Sequence, residues 1–85
     1  MLATLDELQR VLGTEGFFLI KVDELAVTFA REDEIVFCHG AFYVGHQMVV
    51  HVEQFLGYIA KFWDEDLASR LDAKFQRLDE FGLEA

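Results

Sequence analysis

The residues best suited to chemistry lie between positions 38 and 53. Cys38 and His39 are adjacent, and His46, His51 and Glu53 follow. Thiolate, imidazole and carboxylate groups are the usual protein ligands of zinc and other transition metals. A step of five residues, as from His46 to His51, turns about 140° around a helix, so the two imidazoles would not share a face. We therefore predict no metal and no cofactor, and keep a metal-dependent enzyme or sensor using His39, His46, His51 and Glu53 as the third of three hypotheses.

Nucleophilic catalysis has little support in the sequence. Adjacent side chains on a strand point to opposite faces, so Cys38 and His39 cannot form a nucleophile–base pair with each other. Ser69 is the only serine, and it lies inside a predicted helix. The glycines match no phosphate-binding fingerprint. The sequence therefore predicts a protein that is not an enzyme.

Length and charge narrow the class of protein further. The 85 residues suffice for a single compact domain spanning 1–85. Hydrophobic residues make up 53% of the chain, which excludes a disordered acidic tail, and a single cysteine excludes a disulfide scaffold. The 16 acidic residues against 7 basic ones give a net charge of −9, which disfavours direct binding to nucleic acid. No apolar run approaches the ~18 residues of a membrane span, and no signal peptide is visible, so we expect a cytoplasmic protein.

Local signals predict a helix followed by strands. Thr4 and Glu7 have the spacing of a capping box, and the leucines after them predict a short helix over 5–12, with Gly13 just past its end. Apolar runs separated by short acidic turns then predict antiparallel strands, because the turns are too short for crossover helices. The predicted strands span 17–22, 25–31 and 35–39, with an optional fourth at 42–44 that ends at Gly45.

From Gln47 onward the apolar residues recur with helical spacing. The stripe begins with Met48, Val52, Phe55 and Ile59. Asp64 is suited to cap a second helix, so the segment 47–81 is predicted to form two helices or one long bent helix. The predicted fold class is α+β, with a short N-terminal helix, a three- or four-stranded antiparallel sheet, and then the two helices or the single bent one.

The predicted sheet is apolar on both faces. One face of the first strand carries Phe18, Ile20 and Val22, and the second face of the sheet carries Phe17, Leu19, Ala26, Thr28, Ala30, Val36 and Cys38. A half-exposed antiparallel sheet normally has one polar face, so we expect a second copy or a partner to cover the second one. The alternative is a monomer in which the three helices cover both faces of the sheet. Aromatic residues are enriched at interface hot spots. The expected partner-binding residues are Phe17, Leu19, Phe42, Tyr43, Phe62 and Trp63.

The stretch from Gly16 to Cys38, GFFLIKVDELAVTFAREDEIVFC, follows a leucine-bearing helix. In that setting it resembles the first half of class I type III secretion chaperones. Those are small acidic cytosolic homodimers in which a helix precedes three antiparallel strands and another helix, with a second pair of strands before the last helix. The resemblance covers about residues 4–62 and implies a binding module. This chain departs from the family because residues 64–85 are predicted to be helical and the second strand pair is absent.

Together these patterns predict a small acidic chaperone or adaptor that binds another protein and self-associates as a homodimer, without contacting nucleic acid or membrane. An apolar surface would supply the binding energy, and an acidic rim would set the orientation. The alternative is an acidic inhibitor that blocks a basic site on a nucleic-acid-handling complex, as small proteins of mobile elements do. Salt separates the two, because screening weakens binding through acids far more than binding through apolar surface.

Overall fold

The fold is seen in a computed structural model that describes residues 1–23 and 26–78, with the backbone alone at 36–39. The elements are β1 Leu2–Thr4, α1 Leu5–Gly13, β2 Phe18–Val22, β3 Ala26–Arg31, β4 Glu34–His39, β5 Ala41–Val44, β6 Gln47–His51, α2 Val52–Phe62 and α3 Glu65–Phe75. This order confirms the α+β class and the three central strands. The predicted start of the second of these strands at Leu25, and the predicted helical residues from 79 onward, lie outside the described residues.

The N-terminal helix α1 begins with the predicted capping box. The Thr4 hydroxyl accepts a hydrogen bond from the Glu7 amide at 3.1 Å, and the Glu7 carboxylate accepts one from the Thr4 amide at 2.9 Å. The position of Gly13 was wrongly predicted, because it is the last helical residue and not the one beyond. The left-handed residue that ends this segment is Gly16, with φ of 84°, and it lies in the turn closed by the hydrogen bond that the Phe17 amide donates to the Leu12 carbonyl at 3.1 Å.

The strands form two antiparallel three-stranded sheets, in the orders β2-β3-β4 and β1-β6-β5. Tight turns explain the antiparallel pairing: Asp23 bonds the Ala26 amide through its carboxylate at 2.9 Å, and Gly45 adopts a φ of 63° between β5 and β6. Only Gly40, with φ of 83°, separates β4 from β5. The optional fourth strand therefore exists, but it pairs within the second sheet.

The segment Gln47–His51 is a strand, so the prediction of a helix from Gln47 onward was wrong there. Val50 lies between Ala3 of β1 and Ala41 of β5, and all three side chains are buried. Consecutive β-branched residues after a glycine turn favour a strand. The β1 strand that pairs with it is only three residues long, and its sequence gave no strand signal.

The remainder of that segment forms two helices rather than one bent helix. α2 ends at Phe62, and Asp64 caps α3 by accepting hydrogen bonds from the amides of Asp66 at 2.9 Å and Leu67 at 3.3 Å. This confirms Asp64 as a cap. No helix among the described residues is both long enough and apolar enough to cross a lipid bilayer.

The core lies between the helices and one face of each sheet. Phe55 of α2 packs edge-on against Phe29 of β3 and Phe75 of α3, with both ring-centroid distances at 6.5 Å. The other fully buried large side chains are Leu8, Val11, Leu12, Val27, Val50, Ile59, Leu67 and Leu71. Because the helices pack on this side, large side chains on the opposite face of the sheet, such as Phe18 and Ile35, stay exposed.

Candidate protein-interaction surface

A β-bulge in β2 decides which side chains reach the core. Leu19 pairs with Phe29, but the next paired residue is Lys21, opposite Thr28, so Ile20 is the extra residue of the bulge. A bulge shifts the alternation of side chains by one position. Leu19 before the bulge and Val22 after it therefore both pack against the core, together with buried Phe17.

Two assignments from simple alternation were consequently wrong. Phe17 and Leu19 do not lie on the uncovered face: Phe17 is only 3% exposed, and Leu19 packs against the core cluster. Val22 does not share a face with Phe18 and Ile20. The sequence carries no local signal for the bulge, because Ile20 is as good a strand former as its neighbours. The side chains of Val36 and Cys38, also assigned to the second face, lie outside the described ones.

The face left open by the helices carries an apolar group that we call the outer patch, consisting of Phe18, Ile20, Ala30 and Ile35. Phe18 is 59% exposed, Ile20 50% and Ile35 46%. Phe18 and Ile35 both pair with Ala30, on either side of it. Strands lie about 4.8 Å apart, so the two large side chains stand about 10 Å apart with the small alanine between them. The expectation of an apolar second face thus holds for Ala30, but Phe18, Ile20 and Ile35 stand there in place of Phe17 and Leu19.

Only some of the charges near this sheet are paired within the chain. Lys21, next to Ile20, lies 3.7 Å from the Asp23 carboxylate. Arg31 donates hydrogen bonds to Glu34 at 2.8 Å and to the Glu15 carbonyl at 3.0 Å, and it lies over the Phe17 ring at 4.5 Å, which places it on the core-facing side and not beside the outer patch. Glu32 and Asp33, in the turn next to Ile35, are exposed, so negative charge borders the outer patch.

The remaining predicted contact residues fall in two other places. Phe42 is 36% exposed, with its ring 4.9 Å from that of His51, while its neighbour Tyr43 is 65% exposed and points to the opposite face of β5. Phe62 and Trp63 are exposed at the turn between α2 and α3. The six predicted residues therefore do not form one surface, and the outer patch contains none of them.

The candidate metal ligands are spread apart. His46 lies in the turn just before β6 and His51 is the last residue of β6, about 16 Å away at the ~3.3 Å rise per residue of a strand. The Glu53 carboxylate accepts two hydrogen bonds of 2.9 Å from the terminal ammonium of Met1, which lower the pKa of Glu53. The side chain of His39 lies outside the described ones. Among those described, no three His, Cys, Asp or Glu residues come together as a metal site.

Glu15 forms an ionic cluster that braces the α1–β2 connection against α3. Its carboxylate accepts hydrogen bonds from Lys74 at 2.7 Å and from Arg70 at 3.1 and 3.3 Å, and its side chain is only 12% exposed. The hydrogen bonds from Arg70 and Lys74 lower the pKa of Glu15, against a smaller opposing effect of burial. All three charges are satisfied, so this cluster is a structural brace and offers no reactive group. Sequence analysis missed it, because Glu15 is 55 residues from Arg70.

The outer patch is thus an apolar surface suited to being covered, and the Glu15 cluster is an internal support. No family model, no curated protein and no solved structure matches this chain. Its function is therefore inferred from the surfaces and charges of the molecule itself.

Proposed function

We propose that this chain is a small protein-binding module, a chaperone or adaptor, which self-associates as a homodimer through the outer patch. The observation that supports this most is the exposure of Phe18, Ile20 and Ile35 on one open sheet face. Burying a large apolar side chain stabilises a complex by about 1.5–3 kcal/mol. Three half-exposed ones on one sheet face, on β2 and β4 either side of β3, are therefore a substantial driving force for association.

A second copy is a suitable occupant because the patch is self-complementary. In a two-fold dimer the same residues face each other, so Phe18 of one copy can lie over the small Ala30 of the other. The pairing of Lys21 with Asp23 limits the repulsion between two acidic copies beside β2. The exposed acids, including Glu32 and Asp33 in the turn next to Ile35, form a rim that steers a basic partner protein.

The resemblance to class I type III secretion chaperones supports the same class of function. In this chain α1 is followed by the antiparallel strands β2, β3 and β4, in the order on which the resemblance rests. Two differences from that family limit the resemblance. The additional strand pair, β5 and β6, comes directly after β4 rather than between two helices, and α3 follows α2 after only two residues.

Sedimentation equilibrium over a range of protein concentrations tests the proposal. We expect a reversible shift from protomer to dimer mass as concentration rises, with little dependence on salt because the contact is apolar. A single protomer mass up to millimolar concentration would contradict a homodimer. Dimers that dissociate in salt would contradict an apolar contact.

A further inference from the structure

A groove of about 490 Å³ runs between α2 and α3, apart from the outer patch. Its lining consists of Leu56, four small residues (Gly57, Ala60, Ala68 and Ser69) and three carboxylates (Glu53, Glu65 and Asp72). Each helix contributes one face, since these positions recur at steps of three or four residues. From Glu53 to Ala60, and again from Glu65 to Asp72, the helix rises about 10 Å, or two turns.

Gly57 shows that the floor of this groove is open. It lies in the middle of α2, where glycine destabilises a helix relative to alanine. A Cβ atom added at this position would meet no atom within 4 Å, so no close contact in the described part of the chain requires glycine. The missing side chain instead leaves room for another molecule to approach the helix backbone.

The charge of the groove indicates what that molecule carries. No lysine or arginine is among the described residues that line it, whereas two carboxylates without an ion pair among those residues, Glu65 and Asp72, lie along it. The third, Glu53, is bonded to the Met1 ammonium at 2.9 Å. Glu65 lies at the start of α3 and Asp72 two turns further on, so negative charge is present at both ends of the α3 side. The cations of α3, Arg70 and Lys74, are bound to Glu15 and do not neutralise it.

We propose that this groove binds a cationic helix of a partner protein, with small or apolar residues against Gly57 and Ala60 and with lysines or arginines about two turns apart near the carboxylates. A helix fits a cleft between two helices because small residues allow close packing, and because its backbone needs no hydrogen bonds from the groove. This inference rests on the proposed protein-binding role, but it does not depend on the dimer.

Fluorescence anisotropy with the full chain tests this inference. The probe is a labelled 15-residue helical peptide of alanine and leucine with two lysines seven positions apart, and the comparison probe carries glutamate at the same two positions. We expect the lysine probe to bind at least tenfold more tightly than the glutamate probe at low salt. Its affinity should fall as salt rises, because screening weakens the charge pairs. Equal binding of the two probes would overturn the inference.

Gly57→Leu adds a side chain to the groove, and its Cβ would meet nothing within 4 Å, so it should weaken binding of the lysine probe at least tenfold while the Tm stays equal or rises. Gly13→Leu is the matched control, because Gly13 is also helical and its Cβ would also meet nothing within 4 Å. We expect this control to bind as the wild type does. Unchanged binding by Gly57→Leu, or equal loss in both variants, would overturn the inference.

Sedimentation of the same samples separates the two proposals. If Gly57→Leu remains dimeric but no longer binds the lysine probe, both proposals stand. If the wild type is dimeric but neither probe binds, the groove fails as a site and the dimer stands. If the wild type is a protomer at every concentration, but the lysine probe binds and Gly57→Leu weakens that binding, the homodimer proposal is refuted and the groove proposal stands.

Discussion

Replacing Phe18 with serine should weaken the proposed homodimer by about 20- to 300-fold. Burial of a whole phenylalanine side chain stabilises by about 1.5–3 kcal/mol, and 59% of Phe18 is exposed in the protomer. The dimer therefore gains about 0.9–1.8 kcal/mol from each copy, or about 1.8–3.5 kcal/mol from the two copies of a symmetric interface. Each 1.4 kcal/mol corresponds to about a tenfold change in Kd.

The assay is sedimentation velocity across a dilution series, with circular dichroism to verify that the variant is folded. Phe62→Ser is the matched control: Phe62 is exposed to 64%, similar to Phe18, but it lies at the end of α2 and outside the outer patch. Because Phe18 lies on an open face, serine there should leave the Tm within a few degrees of the wild type. A Kd that is unchanged in Phe18→Ser, or that rises as much in Phe62→Ser, would refute the assignment of the interface to the outer patch.

Three further changes test the fold. Glu15→Gln should lower the free energy of unfolding by about 1.5–3 kcal/mol, because charge-assisted hydrogen bonds to Arg70 and Lys74 are lost, and urea denaturation at neutral pH measures this. The pKa of Glu15 is lower in the folded state, so the ionised carboxylate stabilises the fold fully above the unfolded pKa of 4.5, and this stabilisation is lost as pH falls through the folded pKa. The free energy of unfolding should therefore fall more in acid for the wild type than for Glu15→Gln. Phe55→Ala should lower the free energy of unfolding by about 3–5 kcal/mol, because the fully buried ring packs against Phe29 and Phe75. A smaller loss in urea denaturation would show that the neighbouring side chains close the cavity. Asp64→Ala should cost about 1 kcal/mol by removing the cap of α3, and an unchanged urea midpoint would contradict that role.

The features that could be predicted from the sequence were those governed by neighbouring residues. The Thr4–Glu7 capping box and the Asp64 cap each join a side chain to a backbone amide two or three residues away, so residue type and spacing suffice. The antiparallel order of β2, β3 and β4 was likewise set by the shortness of the turns between them. The class of fold followed from these local signals.

The features that escaped prediction depend on pairing between distant segments. The shift at Ile20 exists only because Leu19 and Lys21 pair with consecutive residues of β3, so it moved the expected surface from Phe17 and Leu19 to Phe18 and Ile20. Met48 fits a helical stripe with Val52 equally well, and only the pairing of β6 with β1 and β5 makes it part of a strand. Sequence patterning thus indicated that an apolar face would be exposed, but could not identify its residues.

The irregularity at Ile20 also affects how many copies can assemble. It lies on β2, one of the two edge strands of its sheet, where regular unpaired amides and carbonyls would otherwise template further strands. A bulged edge strand of this kind, with the charged Lys21 next to the bulge, resists the edge-to-edge addition of strands that leads to fibrils. The proposed contact between two sheet faces, in contrast, is complete once two copies have met, so exposed apolar side chains on that face need not add further copies.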